Sequence, residues 1–181
     1  QMNAQPLPPE HGYPLRLILP GWYGMTQVKW VNRIVVLNRR YEGRHMARNY
    51  HSIRTAGDDL VLETSISRNR LKSVVARVEQ NGEACRIAGA AWGGVETIDR
   101  VEVRIDAQPW RDAAIAHKGH PYAWSLWSFN WTEPTPGTHT ITSRAIDSRG
   151  QQQPERSDLL SAREENAQWT RKITIAQGFR K

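Results

Sequence analysis

Three side chains that can carry positive charge surround a short apolar run near the start of the 181-residue chain: His11, Arg16 and Lys29. The run from Leu15 to Leu19 has the composition of a buried strand, and Pro20-Gly21 ends it. An arginine inside such a run needs a partner, because burying an unpaired charge is costly. Turns that contain glycine also present backbone N–H groups that bind phosphate oxygens. The segment therefore predicts an anion-binding cradle, although a surface histidine remains an alternative for His11.

The rest of the sequence offers no self-contained catalytic set. Asp147 precedes Ser148-Arg-Gly150, where an aspartate typically caps a turn. His139 and Ser143 alternate on one predicted strand without the third member that a nucleophilic triad requires. Cys85 is the single cysteine, so we interpret it as a small buried residue without a disulfide or metal role. We predict no catalytic residue and no metal ligand on this chain.

The composition is basic, with 25 Lys and Arg against 18 Asp and Glu, a net charge of +7 and a pI near 10.0. This charge favours an anionic partner such as a small oxyanion steered by a positive field. Arg39-Arg40, Arg44 and Arg48 come nearest to a cluster, and a solvated surface is the simpler interpretation of them. Nucleic acid is not predicted as a partner, because basic and aromatic residues do not interleave. A membrane partner is not predicted either, since no stretch approaches the roughly 20 apolar residues of a membrane span.

Hydrophobic periodicity predicts an all-β fold. After apolar runs at 15–19 and 28–37, the second of which alternates as a strand does, residues 38–59 are rich in Arg, His, Asn and Gly and are typical of a linker. Short alternating segments then follow at 60–64, 72–78, 84–92, 101–106, 113–116, 123–131, 139–146 and 170–175. Seven or eight strands separated by turn signals predict a β-sandwich of the immunoglobulin type.

The first segment contains three motifs in order: H-G-x-P-x-R, P-G-x-x-G and V-K-W. It resembles the end of the molybdopterin-binding domain of the sulfite oxidase family, which includes assimilatory nitrate reductases. Later stretches resemble the dimerisation domain of that family in the expected order: residues 88–94, 98–106, Trp110, 122–127, 144–147, 153–154 and 166–169. The resemblance implies three parts. These are the C-terminal segment of the molybdopterin-binding domain at 1–38, a linker at 39–59 and an immunoglobulin-like dimerisation domain at 60–181.

The resemblance also implies roles for particular residues. The contacts to molybdopterin would come from the anion cradle and the tripeptide that ends it: His11, Arg16, Gln27, Val28 and Lys29. Sulfite oxidases carry a substrate-binding arginine at the position of Ser125, and a serine can donate a hydrogen bond but brings no charge. Ser125 is therefore a candidate substrate-binding residue that places sulfite itself in doubt.

At the level of the whole protein, the resemblance implies the C-terminal part of a molybdenum–molybdopterin oxidoreductase that acts on a small oxyanion such as sulfite. The molybdenum-binding cysteine of the family lies upstream of these segments, so we expect the isolated chain to be inactive. A homodimer, the remainder of the catalytic domain, a haem electron acceptor and a periplasmic location are further expectations. The alternative is a non-catalytic β-sandwich module that binds anions through Arg16 and Lys29.

Overall fold

The computed structural model describes residues 1–57, 60–116, 121–157 and 164–176. The described residues form two compact units. One unit contains the residues up to Asn69 together with Glu164 and Glu165, and the other contains Arg70 to Ser157 and the residues from Asn166 onward. In the described part of the chain, no helix has the length and the apolar composition that crossing a bilayer requires.

The first unit is built mainly from irregular backbone. It contains two 3₁₀ turns, Pro9–His11 and Gly24–Thr26, one π-helical turn, His45–Asn49, and an antiparallel hairpin of β1 (His51–Thr55) and β2 (Val61–Ser65). Within the hairpin, Ser52 is fully buried and its hydroxyl donates a hydrogen bond to the buried carboxylate of Glu164. The guanidinium of Arg54 lies 3.6 Å from the same carboxylate.

Two strand predictions are wrong in this unit. Neither 15–19 nor 28–37 forms a strand, and Leu15 and Ile18 are 55% and 59% exposed instead of buried. Two backbone hydrogen bonds link the segments, from Leu17 N to Val28 O (2.9 Å) and from Val31 N to Leu15 O (3.0 Å), but the pairing does not continue into a ladder. Pro14 and Pro20 flank the first run, and a proline has no N–H to donate to such a ladder. Residues 51–55, which were predicted to be linker, form β1.

The second unit is a sandwich of two antiparallel four-stranded sheets. One sheet has the order β10-β9-β5-β6 and the other β3-β4-β8-β7. The strands are β3 (Lys72–Asn81), β4 (Ala84–Trp92), β5 (Ile98–Ile105), β6 (Arg111–Asp112), β7 (Ala114–Ile115), β8 (Ser125–Thr132), β9 (Gly137–Asp147) and β10 (Thr170–Ile175). The predicted all-β, immunoglobulin-like fold is confirmed.

Alternation of side chains builds the core between the sheets. Along β4, Cys85, Ile87 and Ala91 are at most 1% exposed, while Arg86 points to the other face. Gly89 occupies an inward position of the same strand, where a Cβ atom would collide with the ring of Trp127 and with a backbone carbonyl of β3. A glycine is therefore required for the ring of Trp127 to lie against this strand. Burial of the Cys85 thiol raises its pKa, which fits an inert core residue.

A fully buried glutamine closes one end of the sandwich. The Oε1 atom of Gln153 accepts hydrogen bonds from the backbone N–H groups of Ser73 (2.8 Å) and Ala145 (3.3 Å). Its Nε2 atom donates to the backbone carbonyls of Asn166 (3.0 Å) and Ala167 (3.2 Å). One side chain thereby joins both sheets to the segment that leads into β10, and its amide is well satisfied although it has no access to water.

A histidine–aspartate pair fastens a turn at the edge of the sandwich. His139 on β9 has Nδ1 2.8 Å from the Asp106 carboxylate and Nε2 2.8 Å from the carbonyl of Thr135. Both neighbouring atoms are acceptors, so the ring satisfies both only when both nitrogens carry protons. The hydrogen bond to Asp106, followed by the one to Thr135, raises the pKa of His139. The pKa of Asp106 is lowered by His139 first and then by the backbone N–H of Thr140.

We predict that Gln153→Leu lowers the free energy of unfolding by about 2–3 kcal/mol, because it leaves buried donors and acceptors unpaired. Gln152→Leu is the matched control, since Gln152 is exposed and should change the value by less than about 0.5 kcal/mol. Chemical denaturation of the three proteins measures the difference. Equal stabilities would show that the amide network contributes nothing.

We also predict that the stability of the protein depends on pH through His139, and that His139→Gln weakens this dependence. The raised pKa of His139 means that its contribution is complete below its ordinary value of 6.5 and is lost as the pH rises through the raised value. The lowered pKa of Asp106 gives a contribution that is complete above 3.8 and is lost as the pH falls through the lowered value. The melting temperature should therefore fall on the alkaline side in the native chain and in a His45→Gln control, but less in His139→Gln. An identical alkaline slope in all three would contradict the assignment.

Candidate functional site

The first unit contains a tight turn that presents the predicted cradle residues. Within it, His11 N donates to Pro8 O (3.0 Å), Gly12 N to Pro9 O (3.0 Å) and Tyr13 N to Pro8 O (3.2 Å). Pro9 begins the 3₁₀ turn, where its missing N–H costs nothing, and Gly12 ends it in the left-handed region at φ 110°. The local sequence Pro-Pro-Glu-His-Gly thus contains the residues that such a turn requires.

This turn packs directly against Lys29. A Cβ atom added to Gly12 would lie 3.0 Å from Lys29 Cβ and 3.1 Å from Lys29 Cα, so the close approach depends on glycine. The Lys29 ammonium donates to the carbonyl of Glu10 (2.6 Å), and the Trp30 indole N–H donates to the carbonyl of Pro9 (2.9 Å). The contact brings His11 and Lys29 into one cluster although they are far apart in the sequence.

Arg16 joins the same cluster from the neighbouring segment. Its Nη1 lies 3.5 Å from the carbonyl of His11, a long contact, and its buried Nε has no hydrogen-bond partner. The side chain also lines a cavity of about 220 Å³ whose other walls include Met2, Leu7, Leu15 and Ile18. Buried polar atoms are normally paired, so an orphaned guanidinium nitrogen indicates that the site lacks an acceptor. Whether Arg16 binds a ligand remains a prediction.

Gln27 and Val28 lie immediately beside these cations. Gln27 follows the turn Gly24–Thr26, and its N–H donates to Gly24 O (3.1 Å). Val28 accepts the backbone hydrogen bond from Leu17, the residue after Arg16, and its side chain is 52% exposed. The structure therefore brings all five predicted cofactor contacts into one region of the first unit, and their role toward a cofactor remains a prediction.

The chemistry of the cluster is that of a receptor for an anion. Arg16 and Lys29 have no carboxylate partner among the described residues. Each contacts a backbone carbonyl, and the Lys29 ammonium also lies 5.8 Å from the centroid of the Trp30 ring. The side chains of Arg16 and Lys29 suit a phosphate group, because arginine binds it through directed hydrogen bonds and lysine attracts it through its charge. Within the described ranges, no group of three or more His, Cys, Asp and Glu side chains could hold a metal ion.

Ser125 occupies a different setting in the second unit. It is the first residue of β8, pairs with Ala91 and is 5% exposed on the same face of the strand as Trp127. The neighbouring Trp124 is 63% exposed and stacks on Trp92 with ring centroids 5.1 Å apart. At this end of the sheet the exposed groups are therefore aromatic, while the hydroxyl faces inward. A substrate role for Ser125 remains a prediction.

Sequence reasoning missed the residues that fix Lys29. Gly12 was noted only as part of a motif. The carbonyls of Pro9 and Glu10 belong to the backbone, so residue type does not reveal that they bind Lys29 and Trp30. A proline that begins a short turn and a glycine three residues later could have indicated the turn. Its packing partner, 17 residues further along the chain, could not have been read from local pattern.

Comparison with known proteins finds two family models that match successive parts of the chain. Residues 1–45 match the family model "Oxidoreductase molybdopterin binding domain", and residues 54–177 match "Mo-co oxidoreductase dimerisation domain". These matches define the class as molybdopterin-dependent oxidoreductases. The chain belongs to the sulfite oxidase family within that class, as the two family models and the relatives together show.

Among the relatives, mitochondrial sulfite oxidase of Rattus norvegicus is 30% identical over 86% of this chain and 31% of its own length. An NADH nitrate reductase of Phaseolus vulgaris is 28% identical over 84% of this chain and 20% of its own length. In structure, the sulfane dehydrogenase SoxCD of Paracoccus pantotrophus is similar with a TM-score of 0.78 and 26% identity, over 93% of this chain and 46% of that one. The chain thus spans about a third of the first relative's length.

We predict that Gly12→Ala loosens the cluster, because a Cβ atom would press on Lys29 and the φ of 110° is strained for alanine. Gly24→Ala is the matched control, since nothing lies within 4 Å of its added Cβ atom. Hydrogen exchange of peptides covering residues 8–31 should be about tenfold faster in Gly12→Ala, as a loss of about 1.4 kcal/mol in local stability implies. The Gly24→Ala protein should exchange as the native chain does. Equal exchange in both variants would mean that the turn does not hold Lys29.

Proposed function

We propose that this chain is the C-terminal part of a molybdenum-dependent oxidoreductase of the sulfite oxidase family that acts on a small oxyanion such as sulfite. It supplies one wall of the cofactor pocket from its first unit and the means of dimerisation from its second. The observation that carries the proposal is the orphaned, buried Nε of Arg16 beside Lys29 and the Gly12 turn.

The donors of the first unit fit a phosphate of molybdopterin. Arg16 would bind it through the nitrogen that now lacks an acceptor, and Lys29 would contribute charge from a position fixed by the carbonyl of Glu10. The side chains of His11 and Gln27 would add donors around the same group, while the backbone N–H groups of Gln27 and Val28 already donate to Gly24 O and Thr26 O. When bound, the molybdenum–molybdopterin group supplies two-electron oxygen-atom transfer. The residues of this chain would bind and orient it.

Exposed aliphatic side chains support a contact with the remainder of the catalytic domain. Ile34, Val35 and Val36 are 71%, 60% and 94% exposed, and Leu15 and Ile18 are more than half exposed. Contiguous apolar surface of this kind typically marks an interaction site. In the proposed protein, the other part of the molybdopterin-binding domain covers these side chains.

The substrate class of the proposal is broader than sulfite. Ser125 stands where sulfite oxidases are expected to carry an arginine, and the structural neighbour is by its name a sulfane dehydrogenase. A serine in place of that arginine is consistent with a substrate that is either a small oxyanion or a reduced sulfur compound. A haem protein as electron acceptor and a periplasmic location belong to the proposal through the family resemblance.

We predict that Arg16→Gln, in a protein that contains the whole molybdopterin-binding domain, weakens retention of the cofactor by roughly tenfold to a hundredfold. A charge-assisted hydrogen bond contributes about 1.5–3 kcal/mol, which corresponds to that range. Molybdenum and pterin content per chain, measured after dialysis, gives the readout. Arg77→Gln is the matched control, because Arg77 has a 72% exposed side chain in the second unit.

Full retention of molybdenum and pterin in the Arg16→Gln protein would contradict the assignment of Arg16 to the wall of the cofactor pocket. A protein that contains the whole domain and never acquires molybdenum would favour the alternative, a non-catalytic binding and dimerisation module.

We predict that the 181-residue chain forms a two-fold dimer through residues 60–176. The family model that covers this part describes a dimerisation domain, and exposed aromatic side chains are typical anchors of such interfaces. Sedimentation equilibrium at micromolar concentration should give 41.4 kDa, twice the 20.7 kDa of one chain. A species of 20.7 kDa at all concentrations would contradict dimerisation.

A further inference from the structure

A short part of the first unit carries most of the net charge of the chain. Residues 39–54, named here the basic segment, contain five arginines and one glutamate, which gives 5 − 1 = +4. The whole chain has 25 − 18 = +7, so the other 165 residues together contribute only +3. More than half of the net charge is therefore concentrated in one region of the chain.

Four of the five arginines lie at the surface. The side chains of Arg39 and Arg40 are 72% and 44% exposed, and Arg44 and Arg48 are exposed as well. The fifth, Arg54, is directed to the buried carboxylate of Glu164 and serves the fold. The surface part of the basic segment is consequently 39–48.

Backbone hydrogen bonds keep this surface part compact. The N–H of Ala47 donates to Gly43 O (2.9 Å), and the N–H of Tyr50 donates to His45 O (2.7 Å), closing the π-helical turn. Arg44 immediately precedes this turn and Arg48 lies within it, so both side chains emerge from one short piece of ordered backbone. The arginines therefore form a defined patch.

The nearby carboxylates leave most of this charge available. Glu42 lies 3.8 Å from Arg39, and Glu63 lies 3.8 Å from Arg40, with both pairs exposed to solvent. Exposed ion pairs contribute about 0–1 kcal/mol and are readily exchanged for other partners. Among the described residues, Arg44 and Arg48 have no carboxylate within 4 Å.

The arrangement indicates an extended partner. The cavities at Tyr23 and Tyr50, at Arg16, and at Glu83 and Glu133 are lined by other residues, and the four exposed arginines are spread over residues 39–48. Single-stranded nucleic acid would require aromatic side chains among the cations, and Tyr41 is the only exposed one here. Many proteins bind a membrane surface through an amphipathic helix, whereas the helical turn here has five residues.

We propose that the basic segment is a docking surface for a protein partner with an acidic surface. Guanidinium groups pair with carboxylates in a planar, two-point geometry, and arginine is enriched at protein interfaces for that reason. Such a patch raises the rate of association and makes binding strongly dependent on salt. The inference goes beyond the proposed function and does not require the cofactor.

The test compares two triple variants of the 181-residue chain. Arg39→Gln/Arg44→Gln/Arg48→Gln removes three charges from the basic segment. Arg77→Gln/Arg86→Gln/Arg149→Gln removes three charges from side chains of similar exposure, 72%, 55% and 69%, in the second unit. Circular dichroism first verifies that both variants fold as the native chain does.

Polyglutamate serves as the acidic polypeptide probe, and its binding is measured by fluorescence anisotropy at low and at physiological salt. We expect the basic-segment variant to bind it about tenfold or more weakly, while the control variant loses much less. Equal losses in both variants would show an effect of net charge alone and overturn the proposal. The proposal also fails if the basic-segment substitutions abolish binding to duplex DNA or phosphatidylserine vesicles and leave polyglutamate binding unchanged.

Discussion

The approach of Gly12 to Lys29 is the contact on which the candidate site depends. Only a residue without a Cβ atom allows the turn at Pro8–Tyr13 to lie against the lysine backbone. Once the turn is there, its carbonyls bind the Lys29 ammonium and the Trp30 indole, and the carbonyl of His11 approaches Arg16. Two cations thereby lie beside the same turn without a carboxylate partner among the described residues, an arrangement that suits an anion.

The second unit is stabilised by a different principle. Its sheets bury alternate side chains in a continuous apolar core, and the buried amide of Gln153 makes four hydrogen bonds, whereas the buried Nε1 of Trp127 has no hydrogen-bond partner among the described residues. A domain of this kind is stable through its own core, whereas the first unit leaves many aliphatic side chains exposed. The contrast fits the two family models, because one describes a molybdopterin-binding domain and the other describes a dimerisation domain.

The sequence was a good guide to the sandwich because alternation has a period of two, and burial of one face follows directly from it. The segments 84–92 and 170–175 agree with their observed strands at both ends. It was a poor guide to 15–19 and 28–37, whose apolar runs look like strands but lack a continuous ladder. Strand formation requires a partner at the correct register, and that information is not local.

For the candidate site, the residue types of Arg16 and Lys29 indicated an anion, and the structure added the turn that places them. In the proposed protein, the unpaired Nε of Arg16 binds a phosphate of molybdopterin. An experimental structure of the protein with its whole molybdopterin-binding domain and bound cofactor tests this claim most directly. We predict a phosphate oxygen about 2.7–2.9 Å from the Arg16 guanidinium, as for other charge-assisted hydrogen bonds. A cofactor bound with Arg16 still facing only the carbonyl of His11 would contradict the account.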